Sequence, residues 1–294
     1  MKQLLLAMAL ATAAVAQPVE NVTVTGTRDR RTIEAFVQSY VVPTRLTGKI
    51  ARWQTGICPR VIGLPPGFSR FITARLKAVA MEAGAPLGKE GCETNIQIVF
   101  TDKPQALLDR VRDHAPDLLG YIDSASARAD AAIVRRPIQA WTMTETVDVR
   151  GYHFVDSSVH GGGLWVPISP KLPPVFIPHA HAVATTGMRL GDGLRSDLYH
   201  VLIVADPTKL KDYEMGALAD HIAMLALSQP TTPDCLALPS VLNLFTEGCP
   251  RKADALTDND RAFLAGLYKM TPDRNLRTQE DQMAFHMEQT LLGK

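Results

Sequence analysis

An excess of charge of either sign is absent from this sequence, in which 31 Lys and Arg residues face 30 Asp and Glu residues and give a formal net charge of +1. Proteins dedicated to nucleic acids normally carry a basic excess, so the charge balance argues against a nucleic-acid partner. Also absent, beyond the first 16 residues, is any apolar run of the roughly 20 residues that a transmembrane helix needs. We therefore expect neither nucleic-acid binding nor a transmembrane segment.

The first residues have the pattern of an export signal. Lys2 precedes an apolar run over residues 4–15, and residues 14–16 read Ala-Val-Ala, a cleavage pattern of small residues. The run is about a dozen residues long, which is too short to span a bilayer as a helix. We predict a signal peptide over residues 1–16, cleaved near Ala16, and a mature protein that is periplasmic or secreted.

Cysteine is scarce, but its even number is informative: the chain contains Cys58, Cys92, Cys235 and Cys249. In an oxidising compartment four cysteines indicate two disulfides, for which three connectivities exist. We expect pairing between sequence neighbours, Cys58–Cys92 and Cys235–Cys249; the second pair closes a loop of about 15 residues and stabilises the fold by about 3 kcal/mol in the chain-entropy model. A zinc site is the alternative, but no Cys-x-x-Cys spacing supports it.

The apolar periodicity changes along the chain between that of helices and that of strands. Residues 70–84 have helical spacing after Ser69, which we interpret as the helix cap, and residues 96–100 alternate as in a strand. Helices and strands follow one another without a regular βαβ repeat. We therefore predict an α+β fold, with a small mixed sheet and packed helices, as a single domain over residues 46–294.

Residues 17–45 are predicted to form an N-terminal arm that is mobile or pairs as an edge strand. The string VTVTGTR, residues 22–28, resembles the segment that follows the signal peptide in TonB-dependent outer-membrane receptors. That resemblance implies an accessory role in outer-membrane transport, although no repeated barrel strands of about ten alternating residues follow it. A pull-down of the mature protein without any TonB-like contact would remove this option.

Two histidine motifs in the middle of the chain suggest chemistry but lack their partners. The string HGGG at residues 160–163 matches the oxyanion motif of lipase-like hydrolases, but no G-x-S-x-G nucleophile elbow follows it. His179 and His181 would face one side of a strand and reach one metal, yet only Asp156 and Asp192 lie near them in sequence. We interpret the glycines as a turn and these histidines as solvated loop residues.

The third quarter of the chain has a recognisable order of elements. A strand over residues 201–205 and a helix over about 214–229 are followed by the strings SVLNLF and LTDNDRAFLAGLY. This order resembles the C-terminal half of matrixin-type zincin metallopeptidases, in which an H-E-x-x-H helix leads to a methionine turn and a capped final helix. It is also similar to an exported bacterial family of unknown function that keeps this frame without the zinc residues. The resemblance implies a zincin-like frame over residues 200–270.

The zinc-site residues of that frame are replaced in this sequence. By the resemblance, Asp220 occupies the position of the first zinc histidine, His221 that of the general-base glutamate and Met224 that of the second histidine. Pro230 falls at the distal ligand and Leu242 at the methionine of the turn. One helical turn from His221 in either direction lie only apolar side chains and the soft thioether of Met224, so no suitable second ligand shares its face. We expect no metal and no cofactor in this protein.

The helix itself is predicted to be a buried element. Apolar residues recur at helical spacing from Met215 to Leu225, and further apolar residues lie on the opposite side. Polar groups in such a helix need hydrogen-bond partners, so we interpret Asp220 and His221 as structural residues. The alternative is that these two ionisable groups line a small pocket.

Two functions from different classes are compatible with this sequence. We favour a non-catalytic binding or structural module of the cell envelope, with another envelope protein as the partner class, an inference by analogy from the frame. The alternative is a hydrolase that uses an acid–base pair outside the lost zinc motif. The candidates for its base and its orienting carboxylate are His160, His179, His181, His221, Asp206 and Asp220. The hydrolase requires such a pair in hydrogen-bond contact within a cleft.

Overall fold

The structure is a computed structural model that describes residues 29–156, 163–167, 175–178, 184–187, 191–230 and 235–293. Its helices are α1 (Arg30–Tyr40), α2 (Pro66–Ala83), α3 (Pro104–His114), α4 (Ala125–Ala131), α5 (Met215–Leu227), α6 (Asp258–Lys269) and α7 (Leu276–Leu291). Its strands are β1 (Pro59–Ile62), β2 (Ile96–Phe100), β3 (Ile138–Val147), β4 (His153–Val155), β5 (Gly163–Val166), β6 (Val175–Pro178) and β7 (Arg195–Ala205). Short 3₁₀ helices lie at Pro116–Leu119, Pro207–Lys209 and Val241–Phe245. These helices and this mixed sheet confirm the predicted α+β fold.

The main sheet has five strands in the order β1-β2-β7-β3-β4, and β5 pairs with β6 in a separate hairpin-like sheet. Strands β1, β2 and β7 are parallel, whereas β3 runs antiparallel to both β7 and β4. A bulge interrupts the β3–β7 register between Met143 and Thr144. Residues 201–205 of β7 are all buried, which is expected for a central strand that is covered on both faces.

Helices cover both faces of this sheet. On one face α5 and α2 belong to the larger apolar cluster, which includes Ile138 and Ile203. On the other face Trp141 and Leu202 pack with Leu108 of α3 in a smaller cluster. Eleven of the 13 residues of α5 are buried, which confirms the prediction that this helix is covered nearly all round.

The prediction of an N-terminal arm over residues 17–45 is wrong for its second half. Residues 30–40 form α1, whose apolar side chains pack into the main core: Ile33, Phe36, Val37 and Tyr40. Arg30 pairs with Glu288 of α7 at 3.3 Å, so the two ends of the described chain lie together. The helical spacing of the apolar residues was present in the sequence, but Phe36 and Tyr40 pack against Phe263 of α6, more than 220 positions away. Residues 1–28, with the predicted signal peptide and the VTVTGTR string, lie outside the described residues.

Helix α2 begins three residues before the cap that we predicted at Ser69. Pro66 is its first residue, where a missing N–H costs nothing and the fixed φ of proline suits the helix. Ser69 lies inside the helix instead, and its Oγ donates to the carbonyl of Leu64 at 3.3 Å. The helix ends as predicted at Gly84, which has a φ of +83°.

Both predicted disulfides are confirmed, Cys58–Cys92 and Cys235–Cys249. The first joins the residue before β1 to the loop before β2, so it links the starts of two adjacent parallel strands. The second closes the segment that contains the 3₁₀ helix Val241–Phe245. Structural disulfides belong to oxidising compartments, which fits an extracytoplasmic protein. Among the described helices, none combines the length and the apolar character needed to cross a membrane.

One buried carboxylate organises the chain between α5 and α6. Asp260 accepts hydrogen bonds from Ser240 Oγ at 2.5 Å, from the Val241 N–H at 3.0 Å, and from the N–H and Oγ1 of Thr257 at 3.0 and 2.8 Å. The Thr257 hydroxyl also accepts from the Asp260 N–H, which completes the predicted capping box. Strand, helix, turn and capped helix thus follow in the order that the zincin resemblance implies, while the zincin-like frame itself stays a prediction.

Replacing Asp260 with asparagine is expected to lower the free energy of unfolding by about 2–3 kcal/mol, because an amide cannot accept all four hydrogen bonds and leaves buried donors unpaired. Asp258→Asn is the matched control. Asp258 is exposed in the first turn of the same helix, so only its interaction with the helix dipole is lost, at a cost below about 1 kcal/mol. Urea unfolding measures both variants, and equal losses would contradict the role given to Asp260.

Candidate functional site

Asp220 is a structural carboxylate in the middle of α5. Its side chain is almost fully buried, and its two oxygens accept from Nε and Nη2 of Arg75 on α2 at 2.5 and 3.1 Å. The same carboxylate accepts the N–H of Leu256 at 2.8 Å. These contacts join α5 to α2 and to the start of α6. Asp220 is therefore engaged in the fold and does not orient a histidine.

His221 is enclosed by the fold but also reaches a cleft. Its Nδ1 donates to the carbonyl of Val241 at 3.1 Å, and its ring packs edge-on against Phe245 with centroids 4.8 Å apart. Burial lowers the pKa of His221 to about 4; the hydrogen bond to Val241 opposes this effect, and the positive charge of Arg136 adds to it. The imidazole is therefore neutral at neutral pH, and because Nδ1 is the donor, Nε2 is an acceptor.

Asp206 caps the short helix Pro207–Lys209. Its Oδ1 accepts from the N–H and the Oγ1 of Thr208 at 3.0 and 2.6 Å. No hydrogen bond or ion pair joins any two of Asp206, Asp220 and His221. Among the described residues, the acid–base pair that the hydrolase alternative requires is therefore not assembled from these candidates.

The structure does not test the histidines predicted in the middle of the chain. Three candidates lie outside the described residues: His160, His179 and His181. The two carboxylates nearest to them in sequence are already engaged. Asp156 accepts hydrogen bonds from two threonine hydroxyls of β3, and Asp192 pairs with Lys49.

The remaining positions that correspond to zinc-site residues also serve the fold. Met224 is fully buried in the main core, and Leu242 is buried in the turn that follows α5. Pro230 forms an isolated bridge with Val41, just after α1. Hydrocarbon contacts thus occupy the places where the resemblance would put metal ligands.

A cleft of about 240 Å³ lies between α5 and β3. Helix α5 and strand β3 contribute most of its lining. The lining residues are His221 and Leu225 of α5, Gln229 and Pro230 after α5, residues 138–142 of β3, Arg136, residues 119–121, Val42 and Leu242. No carboxylate is present among these lining residues, and Arg136 contributes a formal positive charge. Arg136 is thus the one formally charged side chain among these lining residues.

The outer edge of β3 is the polar wall of this cleft. Val201 of β7 lies opposite Thr142 of β3. Its N–H points away from β3 and donates to the carbonyl of Asn95, just before β2. Opposed residues in an antiparallel pair point their N–H and C=O groups either both inward or both outward, so those of Thr142 point away from β7. By alternation, those of Ala140 and Ile138 do so too. Within the described ranges, β4 pairs only with residues 145–147, so this outer edge has no strand partner there.

Gln229 adds an unsatisfied acceptor to the same cleft. Its Oε1 atom is buried and has no hydrogen-bond partner in the part of the chain that the structure describes. A buried acceptor without a donor costs about 1–3 kcal/mol. A ligand with N–H groups would supply the missing donor, so Gln229 favours an amide or amine ligand in this position.

A second, larger groove of about 520 Å³ was missed by the sequence analysis. Glu145 of β3 and His153 of β4 line it, and Asp197 of β7 offers a ligand atom within 4.8 Å of theirs. Asp197 is far from the other two in sequence, and all three meet through the pairing of β3 with β4 and β7. The one available indication was the alternation along β3, which puts Glu145 on the same face as the buried Trp141.

No family model matches this chain, and comparisons with curated proteins and with solved structures gave no significant match. The zincin-like frame therefore depends on the residue pattern alone.

The Arg75–Asp220 ion pair is predicted to be a major contribution to stability. Arg75→Ala leaves a buried carboxylate without its cation and is expected to lower the free energy of unfolding by about 3 kcal/mol. Arg135→Ala is the control, because the Arg135–Asp130 pair is exposed on both sides and should contribute less than about 1 kcal/mol. Denaturant unfolding of both variants tests this; similar losses would show that Asp220 does not depend on Arg75.

His221 is predicted to make stability depend on pH. Its folded-state pKa of about 4 lies below the ordinary value of 6.5, so the unfolded chain binds more protons between these values and stability falls as pH falls through this window. From pH 7 to pH 5 the contribution of His221 is a loss of about 2 kcal/mol. His221→Gln should lose about 2 kcal/mol less than the wild type over that interval, whereas His114→Gln, at an exposed position, should match the wild type. Identical pH profiles for wild type and H221Q would contradict this assignment.

Proposed function

We propose that this protein is an exported, non-catalytic binding module of the cell envelope, and that the cleft between α5 and β3 binds a short extended peptide segment that carries a carboxylate. One observation carries the proposal: the outward N–H and C=O groups of Ile138 and Ala140 line the cleft without a strand partner among the described residues. Strand edges of this kind bind extended peptides by adding a strand, with main-chain hydrogen bonds giving the affinity.

The side chains around this edge complement such a ligand. Gln229 Oε1 is a buried acceptor for a peptide N–H, and the neutral His221 offers Nε2 as a second acceptor. The guanidinium of Arg136 favours a carboxylate, whether of an acidic side chain or of a chain terminus. The ligand class therefore follows from three separate features of one cleft: an acceptor, a cation and a strand edge.

The chemistry of the lining residues supports binding rather than catalysis. His221 is the single histidine among the lining residues, its pKa of about 4 makes it a weak base, and the lining contains no carboxylate or thiol. Its Nδ1 is held by a backbone carbonyl, whereas an oriented catalytic base is usually held by a carboxylate. An isolated imidazole is also a poor metal site, since zinc takes at least three protein ligands.

Location in the envelope is part of the same proposal. The pattern of residues 1–16 favours export, and the two disulfides fit an oxidising compartment. The resemblance of residues 200–270 to an exported family that lacks the zinc residues points in the same direction. A segment of another envelope protein is the partner class that we propose for the cleft.

Screening the oxidised full-length protein against a random peptide library with free C-termini tests this function. Recovered peptides are expected to bind Ala140→Pro about tenfold more weakly, because proline removes one outward N–H, and a lost hydrogen bond of this kind is worth about 1–1.5 kcal/mol. Gln229→Leu should weaken binding similarly. Proline is tolerated at an outward-facing edge position, so the fold should persist, and thermal unfolding checks this.

Ala140→Ser is the matched control, because it changes the same residue but keeps its N–H, and it should bind like the wild type. Fluorescence polarisation with labelled peptides gives the dissociation constants. Equal affinities for the wild type and the Ala140→Pro variant would place the ligand elsewhere. Failure to recover any peptide would contradict the proposed ligand class.

A further inference from the structure

Strand pairing brings three metal-ligating side chains together on the sheet face opposite α5. Glu145 of β3 lies directly across from Asp197 of β7, and His153 of β4 lies across from Val147, the next residue of β3 on the same face. Both carboxylates are buried, whereas His153 is partly exposed to the groove. The Nδ1 atom of His153 lies 2.8 Å from Glu145 Oε1, and one ligand atom from each of the three residues lies within 4.8 Å of the others.

We propose that Glu145, His153 and Asp197 form a binding site for a divalent transition-metal cation of the zinc class. The donor set decides the class: imidazole favours zinc and its neighbours, whereas calcium takes oxygen ligands alone. Tetrahedral zinc with bonds of about 2.0–2.1 Å holds its ligand atoms roughly 3.4 Å apart. The ligand atoms of this cluster all lie within 4.8 Å of one another, so small side-chain adjustments would bring them to that spacing. Three protein ligands leave a fourth position facing the groove.

Two buried carboxylates, Glu145 and Asp197, supply the negative charge of the cluster. Arg195 lies 3.1 Å from Asp197. Arg195 and Arg52, which forms an isolated bridge with Asp197, offset part of this charge. A divalent cation would bind the carboxylates of Glu145 and Asp197 together and so offset the cost of burying both.

His200 provides an independent observation in the same groove. It lies opposite Met143, two residues before Glu145, and it lines the groove with Glu145 and His153. Its Nδ1 atom is buried and has no hydrogen-bond partner among the described residues. Buried polar atoms in folded proteins normally have partners, and a water molecule on the open position of a bound cation is a partner of suitable chemistry.

A simpler arrangement makes a different prediction. If His153 and Glu145 only form an ion pair, and the neighbouring arginines balance Asp197, the cluster contributes to the fold and has no particular affinity for metals. A measurement of metal binding distinguishes the two possibilities, because a cluster that only forms ion pairs should not prefer zinc to calcium.

Isothermal titration of the chelator-treated, oxidised, untagged full-length protein with ZnCl₂, MnCl₂ and CaCl₂ tests the site. We expect one equivalent of Zn²⁺ to bind, Mn²⁺ to bind more weakly and Ca²⁺ to bind least. His153→Gln and Glu145→Gln should each weaken zinc binding by at least roughly tenfold. His153 is on a short edge strand and partly exposed, so its substitution leaves a folded protein, which thermal unfolding verifies.

The doubly substituted H179Q/H181Q variant is the matched control, because these two histidines also have a spacing that suits one metal. Zinc affinity should be unchanged in this control. Loss of zinc binding in the control but not in His153→Gln would overturn the proposal, as would tighter binding of Ca²⁺ than of Zn²⁺. Absence of zinc binding by the wild-type protein would also overturn it and would leave the peptide-binding cleft unaffected.

Discussion

Helix α5 must be covered on every side, and the fold is arranged around that requirement. Eleven of its 13 residues are buried, against the sheet, against α2 and against the 3₁₀ helix Val241–Phe245. Two ionisable groups in so apolar a helix need partners nearby. Asp220 meets Arg75 of α2, and His221 meets the carbonyl of Val241. Asp220 and His221, which are the most costly groups of α5 to bury, therefore also hold α2 and the 3₁₀ helix Val241–Phe245 against it.

The same burial explains why Asp220 and His221 of α5 do not assemble a catalytic pair. Asp220 cannot turn towards the cleft without breaking its ion pair, and Met224 lies in the core. The cleft is lined instead by a neutral imidazole, by the guanidinium of Arg136 and by the outer edge of β3, which has no strand partner among the described residues; these are groups for recognition. The cation cluster at Glu145 lies on the opposite face of the sheet, so the two proposed sites have separate chemistry although both are built on β3.

Much of the architecture was predictable because it depends on local patterns. The periodicity of residues 96–100, the capping box at Thr257 and the apolar character of α5 each specify an element without help from the rest of the chain. Helix α1 was missed because its partners lie near the other end of the sequence: its aromatic residues pack against Phe263 of α6, and Arg30 pairs with Glu288 of α7. The grouping of Glu145 with Asp197 was hidden for a related reason: register between strands is set by the whole sheet, and sequence separation gives no indication of it.

The disulfide between Cys58 and Cys92 has a mechanical consequence. When a polypeptide is stretched from its two ends, the residues between two disulfide-bonded cysteines cannot extend, because the disulfide bears the force. This bond bypasses 34 residue steps, so roughly 110 Å of contour stays locked away at a fully stretched rise of about 3.3–3.6 Å per residue. Reduction of the disulfide would release this length in one step. The extension of a protein held at both ends would therefore depend on the redox state of its surroundings.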